Sequence, residues 1–166
     1  MLLDILLFGD AILRKKADEV PAVTAAVRDL AANMLETMYY HDGLGLAAPQ
    51  VGVSLRLFVM DVPRDGCGKT VLVNPVIRER GETGAVEEGC LSFPGIAGAV
   101  ARAAEVVVEF TDLSGKRVSK GVKGVAAQAV QLVHGLARGR GVAALPAPQG
   151  ALQVVQGLVD RAHGLA

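Results

Sequence analysis

Between Thr24 and Gly43 the apolar positions Val27, Leu30, Ala31, Met34 and Met38 recur three and four residues apart, which predicts a helix with one buried face. Thr24 stands before it as a candidate N-cap. From Leu55 the period changes. Leu55, Leu57 and Val59 alternate with Arg56, Phe58 and Met60, so the spacing predicts a short strand ending at Asp61. Val71-Leu72-Val73 and Val106-Val107-Val108-Glu109-Phe110 predict further strands, because β-branched and aromatic side chains suit a pleated surface. Asp112-Leu113-Ser114-Gly115 reads as a turn with Gly115 at positive φ, returning the chain through Lys116-Arg117-Val118. Residues 125–137 are rich in Ala, Val, Leu and Gln and predict a second, buried helix. The fold class that follows is α+β.

A length of 166 residues suits one domain spanning 1–166. Composition then shifts along the chain. After Gln131 the only charges are Arg138, Arg140, Asp160 and Arg161, and Lys, Glu, Phe, Tyr and Trp are all missing. Residues 132–166 are therefore expected to be divergent or poorly ordered. Leu152, Val155, Gln156 and Val159 have helical spacing, whereas Gly139, Gly141, Pro146, Pro148 and Gly150 interrupt any helix before them. An apolar helical cap and a degenerate or frame-displaced terminus both fit this pattern, and the nucleotide sequence distinguishes them.

Seventeen Lys and Arg balance seventeen Asp and Glu, with no basic run, so a specific nucleic-acid partner is not expected. No stretch approaches the roughly eighteen apolar residues of a membrane span. Met1–Phe8 lacks a basic n-region and is broken by Asp4. A soluble, cytoplasmic monomer is the expectation. Cys67 and Cys90 occur in unlike settings, which favours separate thiols over a disulfide framework.

Chemistry first enters at Gly43-Leu44-Gly45-Leu46-Ala47-Ala48-Pro49-Gln50. Two glycines at alternate positions can leave backbone groups open to a ligand, or can simply end a helix and begin a turn. Small Ala47 and Ala48 permit close packing, and the Gln50 amide can donate to a carbonyl oxygen or oxyanion. About forty residues later comes Glu88-Gly89-Cys90-Leu91-Ser92. Cys90 reads either as a buried inert thiol or as a thiolate ligand beside the Leu91 N–H. A catalytic metal needs further ligands, usually imidazoles, with one position left for water.

With both motifs in view, the chain resembles the peptide deformylases, which remove the formyl group from the N-terminal methionine of new proteins. The resemblance rests on Gly43, Gly45, Ala47, Ala48 and Gln50, on Glu88 through Ser92, and on a stretch from about Leu6 to Gln131. It implies a peptide deformylase-like fold of short antiparallel strands around a central helix. It implies that Cys90 is a metal ligand, that Gln50 and the Leu91 N–H are catalytic donors to an oxyanion, and that Gly43, Leu44 and Gly45 bind the substrate backbone. Intact members use Fe²⁺, or Zn²⁺, Ni²⁺ or Co²⁺. The implied partner is a formyl-Met peptide or nascent chain, in proximity to the ribosome.

The chain departs from the family pattern where a helical His-Glu-x-x-His follows the glutamine matching Gln131. Leu132, Val133 and Leu136 stand there instead. His134 does not replace them, since two residues of displacement turn a helical side chain by about 200°. His41 reads as a helix C-terminal residue near the first motif. No cofactor is expected in this chain, and the family hydrolysis is expected to be lost or strongly impaired. Two other readings stay open: a rebuilt metal site using Cys90 with His134 or His163, and a non-metal cysteine hydrolase or non-catalytic peptide-binding module.

Overall fold

The computed structural model describes residues 1–138, with the side chains of Ile96 and Ala137 left aside. The predicted first helix, α1, runs Ala25–Tyr40, and the Thr24 side chain accepts the Val27 N–H at its start. Its C-terminus closes with the Gly43 N–H bonded to Met38 C=O and the Asp42 N–H to Tyr39 C=O. Those are the paired bonds of a Schellman cap. The left-handed residue in it is Asp42, at φ 53°, rather than either glycine.

Among the described residues seven strands follow: β1 (Gly45–Ala47), β2 (Leu57–Val62), β3 (Cys67–Arg80), β4 (Thr83–Cys90), β5 (Phe93–Ala103), β6 (Glu105–Thr111) and β7 (Arg117–Lys123). They form an antiparallel five-stranded sheet in the order β1-β2-β3-β6-β7 and a separate β4-β5 hairpin. The turn before β7 contains Gly115 at φ 87°, as its sequence predicts. The second helix, α2, occupies Gly124–Ala137. It packs against strands of the main sheet and against β5.

The sheet is covered on both sides, and β2 shows why its sequence alternation is misleading. Leu57 and Val59 join Ala31, Met34 and Met38 in a core beneath α1. Phe58 and Met60 join Val108, Phe110, Ala127, Val130 and Leu136 in a second core beneath α2. The alternation divides two cores instead of core from solvent. The α+β class holds, with antiparallel strands around a helix.

Residues 132–137, at the start of the segment expected to be divergent or poorly ordered, complete α2. Gln131 fixes that helix. Buried at 6% exposure, its amide donates to Ala103 and Ala127 C=O and accepts from the Ala103 N–H and Arg80 Nη1. A buried carboxamide with each side matched holds α2 in register against the end of β5. The expected terminal helix around Leu152–Val159, its interrupting residues and His163 lie outside the described residues.

Candidate functional site

The two sequence motifs meet in space. Ala47 N–H donates to Gln50 Oε1 at 2.9 Å, closing the short turn Ala48–Val51 that follows β1. Gln50 Nε2 then donates to Ser92 Oγ at 3.1 Å and lies 3.5 Å from Cys90 Sγ. Gln50 is 3% exposed and Ser92 1%. The amide is thus occupied by internal partners, and donation from it to any ligand would compete with Ser92.

An extended N-terminal segment holds both motifs from behind. Leu6 N–H donates to Gln50 C=O at 2.8 Å, and Phe8 N–H to Ser92 C=O at 2.9 Å. The Phe8 ring also lies 4.6 Å from that of Phe93. Sequence reasoning missed this clamp, because Met1–Phe8 has no period to mark its role and the bonds run through backbone N–H groups that any residue supplies.

The glycines of the first motif sit in close packing. A Cβ on Gly45 meets Phe58 Cζ at 2.8 Å, and one on Gly43 meets Leu91 Cδ1 at 2.8 Å. Gly43 therefore seats the side chain of Leu91 from the second motif. Close approach between the motifs, not only an exposed backbone, explains both residues.

Glu88 anchors the second motif. Its carboxylate takes a bidentate pair from Arg102 at 2.8 Å for each bond, with both side chains largely buried. That pair ties the rungs of the β4-β5 hairpin, which has few large apolar side chains of its own. Burial is the main cause that pushes the Cys90 thiol up, Glu88 adds to it, and hydrogen bonds from Ser92 and Gln50 oppose it. The thiol form is favoured, the reverse of a nucleophilic thiolate.

A cleft of about 810 Å³ opens between these segments and α2. Gly43, Leu44, Gly45, Gln50, Cys90 and Leu91 line it, opposite Val125, Gln128, Ala129, Leu132 and Val133. The structure thus brings together the residues of the two motifs, whereas His134 is not among the residues lining the cleft. His41 sits at the same cleft, its ring edge-on to Tyr40 at 5.1 Å, while its backbone N–H caps α1.

The donor set decides whether the metal implied by the resemblance fits. Cys90 faces the cleft, but Leu132 and Val133 form the wall where an imidazole and a carboxylate are needed. Leu136 is 1% exposed within the core beneath α2. Among the described residues no three His, Cys, Asp or Glu side chains converge to hold an ion. Aliphatic carbon offers a metal no lone pair, so the residues present do not fit the family's ion. With neither activated water nor the adjacent carboxylate, the family's catalytic site is impaired in this chain.

The polypeptide deformylase family profile matches residues 2–140. A peptide deformylase of Thermotoga neapolitana is 45% identical over 125 residues, covering 75% of this chain and 74% of its own. The crystal structure of peptide deformylase from Thermotoga maritima superposes with a TM-score of 0.82 at 38% identity, covering 89% of this chain and 99% of that one. A Met-Ala-Ser-bound class I type b peptide deformylase from Acinetobacter baumannii superposes with a TM-score of 0.77 at 34% identity, covering 84% and 94%. By sequence and by fold, the chain belongs to the polypeptide deformylase family.

Proposed function

We propose that this chain holds the N-terminal segment of a formyl-methionyl peptide in its cleft without hydrolysing it. The observation that carries the reading is the composition of the cleft wall: Leu132 and Val133 stand beside Cys90, and open volume remains in front of them. Metal chemistry is impaired, whereas the surfaces that accept a peptide are kept.

β1 lies at the end of the main sheet and, among the described residues, pairs only with β2, which leaves its other edge to receive an extended peptide. Gly43, Leu44 and Gly45 supply backbone groups to that peptide in this reading. Gln50 and the Leu91 N–H supply donors near its carbonyl end, with Gln50 giving up Ser92 Oγ to do so. In this reading the chain acts in the cytoplasm, near the ribosome and as a monomer. A cysteine hydrolase is not favoured, since among the described residues the polar partners of Cys90 are Gln50 and Ser92 rather than an imidazole.

Fluorescence anisotropy with dye-labelled formyl-Met-Ala-Ser, run beside a formate-release assay, tests this. Saturable binding without formate release is the expected outcome. Formate release at an ordinary enzyme rate overturns the non-hydrolytic reading, and absence of saturable binding overturns the cleft as a peptide site.

A further inference from the structure

The cleft-facing stripe of α2 consists of Val125, Gln128, Ala129, Leu132 and Val133. At about 100° per residue these positions span one side of the helix, with Gln128 on the flank next to Val125 and Leu132. Four of the five are apolar. Gln128 is half-buried, and its carboxamide makes no hydrogen bond to another described residue. Gln131, three residues on, shows the contrast, because all of its amide contacts lie within the fold.

An amide placed among aliphatic neighbours, with no hydrogen bond to a described residue, is open to water while the cleft is empty. A ligand that fills the cleft removes that water and must replace its bonds. A purely hydrocarbon side chain desolvates the amide and returns nothing. A side chain with an unbranched stem and a hydrogen-bonding end lays its stem on Val125, Ala129 and Leu132 and meets the amide with its tip.

We propose that Gln128 is a specificity-determining residue of the cleft, selecting peptides whose first side chain ends in a hydrogen-bonding group on an unbranched stem. Methionine sulfoxide and glutamine have this form; norleucine has the stem without the group. The inference rests on the reading that the cleft holds a peptide N-terminus. Carboxamide donors and acceptors both serve, since an amide offers each.

Binding of formyl-Met-Ala-Ser and its two analogues, with methionine sulfoxide or norleucine in first place, tests the proposal by competition anisotropy on the full chain. In the unaltered protein the sulfoxide peptide is expected to bind about 10-fold tighter than the norleucine peptide, the ratio produced by one satisfied buried amide. In Gln128→Leu that order reverses. Gln128 holds nothing else in place, so the variant is expected to fold, and Gln128→Met provides a second apolar replacement of similar length. Equal affinities in the unaltered chain, or an unchanged ratio in a folded variant, overturn the role of Gln128 while leaving the peptide cleft standing. Absence of binding by all three peptides overturns both.

Discussion

Gln50 Nε2 donates to Ser92 Oγ across 3.1 Å, joining two motif segments separated by 42 positions in the chain. The same side chain accepts the Ala47 N–H through Oε1. One buried amide thus shapes the turn after β1 and fastens it to the turn between β4 and β5. A residue expected to serve a ligand is also a tie within the fold.

Gln50→Ala is expected to lower unfolding free energy by about 1–3 kcal/mol, because the Ala47 N–H and Ser92 Oγ lose a buried partner. Urea denaturation of Gln50→Ala, Ser92→Ala and the double variant measures the tie directly. A coupling of about 0.5–1.5 kcal/mol between the two sites is expected. Strict additivity would show that the two side chains do not stabilise one another.

Replacing the motif glycines tests whether packing or ligand access demands them. Gly45→Ala drives a methyl group onto the ring of Phe58, which is 1% exposed and has no room to retreat. Gly43→Ala meets the end of the Leu91 side chain, which can turn aside into the cleft. Gly45→Ala is therefore expected to cost about 1–3 kcal/mol and Gly43→Ala less. Thermal melts rank them, and Phe58→Leu should relieve the Gly45→Ala penalty. A larger loss at Gly43 than at Gly45 would refute the packing account.

The helices are legible in the sequence because their signals are local. Thr24 and the spacing of Val27 to Met38 define α1, and the Ala- and Gln-rich run defines α2. The hairpin β4-β5 is not legible in the same way. Gly84, Glu87, Glu88 and Gly89 have low strand propensity, and the strand is held by its ladder and by the Glu88–Arg102 pair. β3 shows only Val71-Leu72-Val73 as a strand signal, yet runs on to Arg80 past Asn74, whose positive φ accompanies a register shift between Val73 and Val76. The motif residues were recognisable one by one. Their mutual dependence, Gly43 on Leu91 and Gln50 on Ser92, exists only once the chain has folded.

The Cys90 thiol gives a pH dependence with a definite sign. Its pKa is raised by burial, so the folded chain keeps the proton at pH values where the unfolded chain releases it. The associated stability is fully present below the unfolded value of about 8.5 and is lost as pH rises through the higher folded value. Urea midpoints followed from pH 7 to 11 should fall more steeply in the unaltered chain than in Cys90→Ala. Alkylation by iodoacetamide should likewise accelerate at higher pH than for a free cysteine peptide. Rapid labelling at pH 7 would contradict a buried, protonated thiol.

The aliphatic wall of the cleft makes the strongest claim about activity. Deformylation of formyl-Met-Ala-Ser by this chain is expected to be at least about 10³-fold below that of an intact family member, since activated water and general acid–base catalysis are both affected. Leu132→His, Val133→Glu and Leu136→His together place two imidazoles one helical turn apart, with a carboxylate adjacent, on a helix that Gln131 already holds in register. Each single change leaves the set incomplete. Val133 and Leu136 are the costly positions, at 5% and 1% exposure, as each exchanges a core side chain for a polar or charged one, so circular dichroism must first show that the triple variant folds. Anaerobic elemental analysis after exposure to Fe²⁺ or Ni²⁺ should then find near-stoichiometric metal in the triple variant and little in the unaltered chain. The bound ion should also raise the melting temperature of the triple variant alone. Stoichiometric metal in the unaltered chain, removed by Cys90→Ala and accompanied by ordinary formate release, would mean that ligands beyond Leu132, Val133 and Leu136 complete the site.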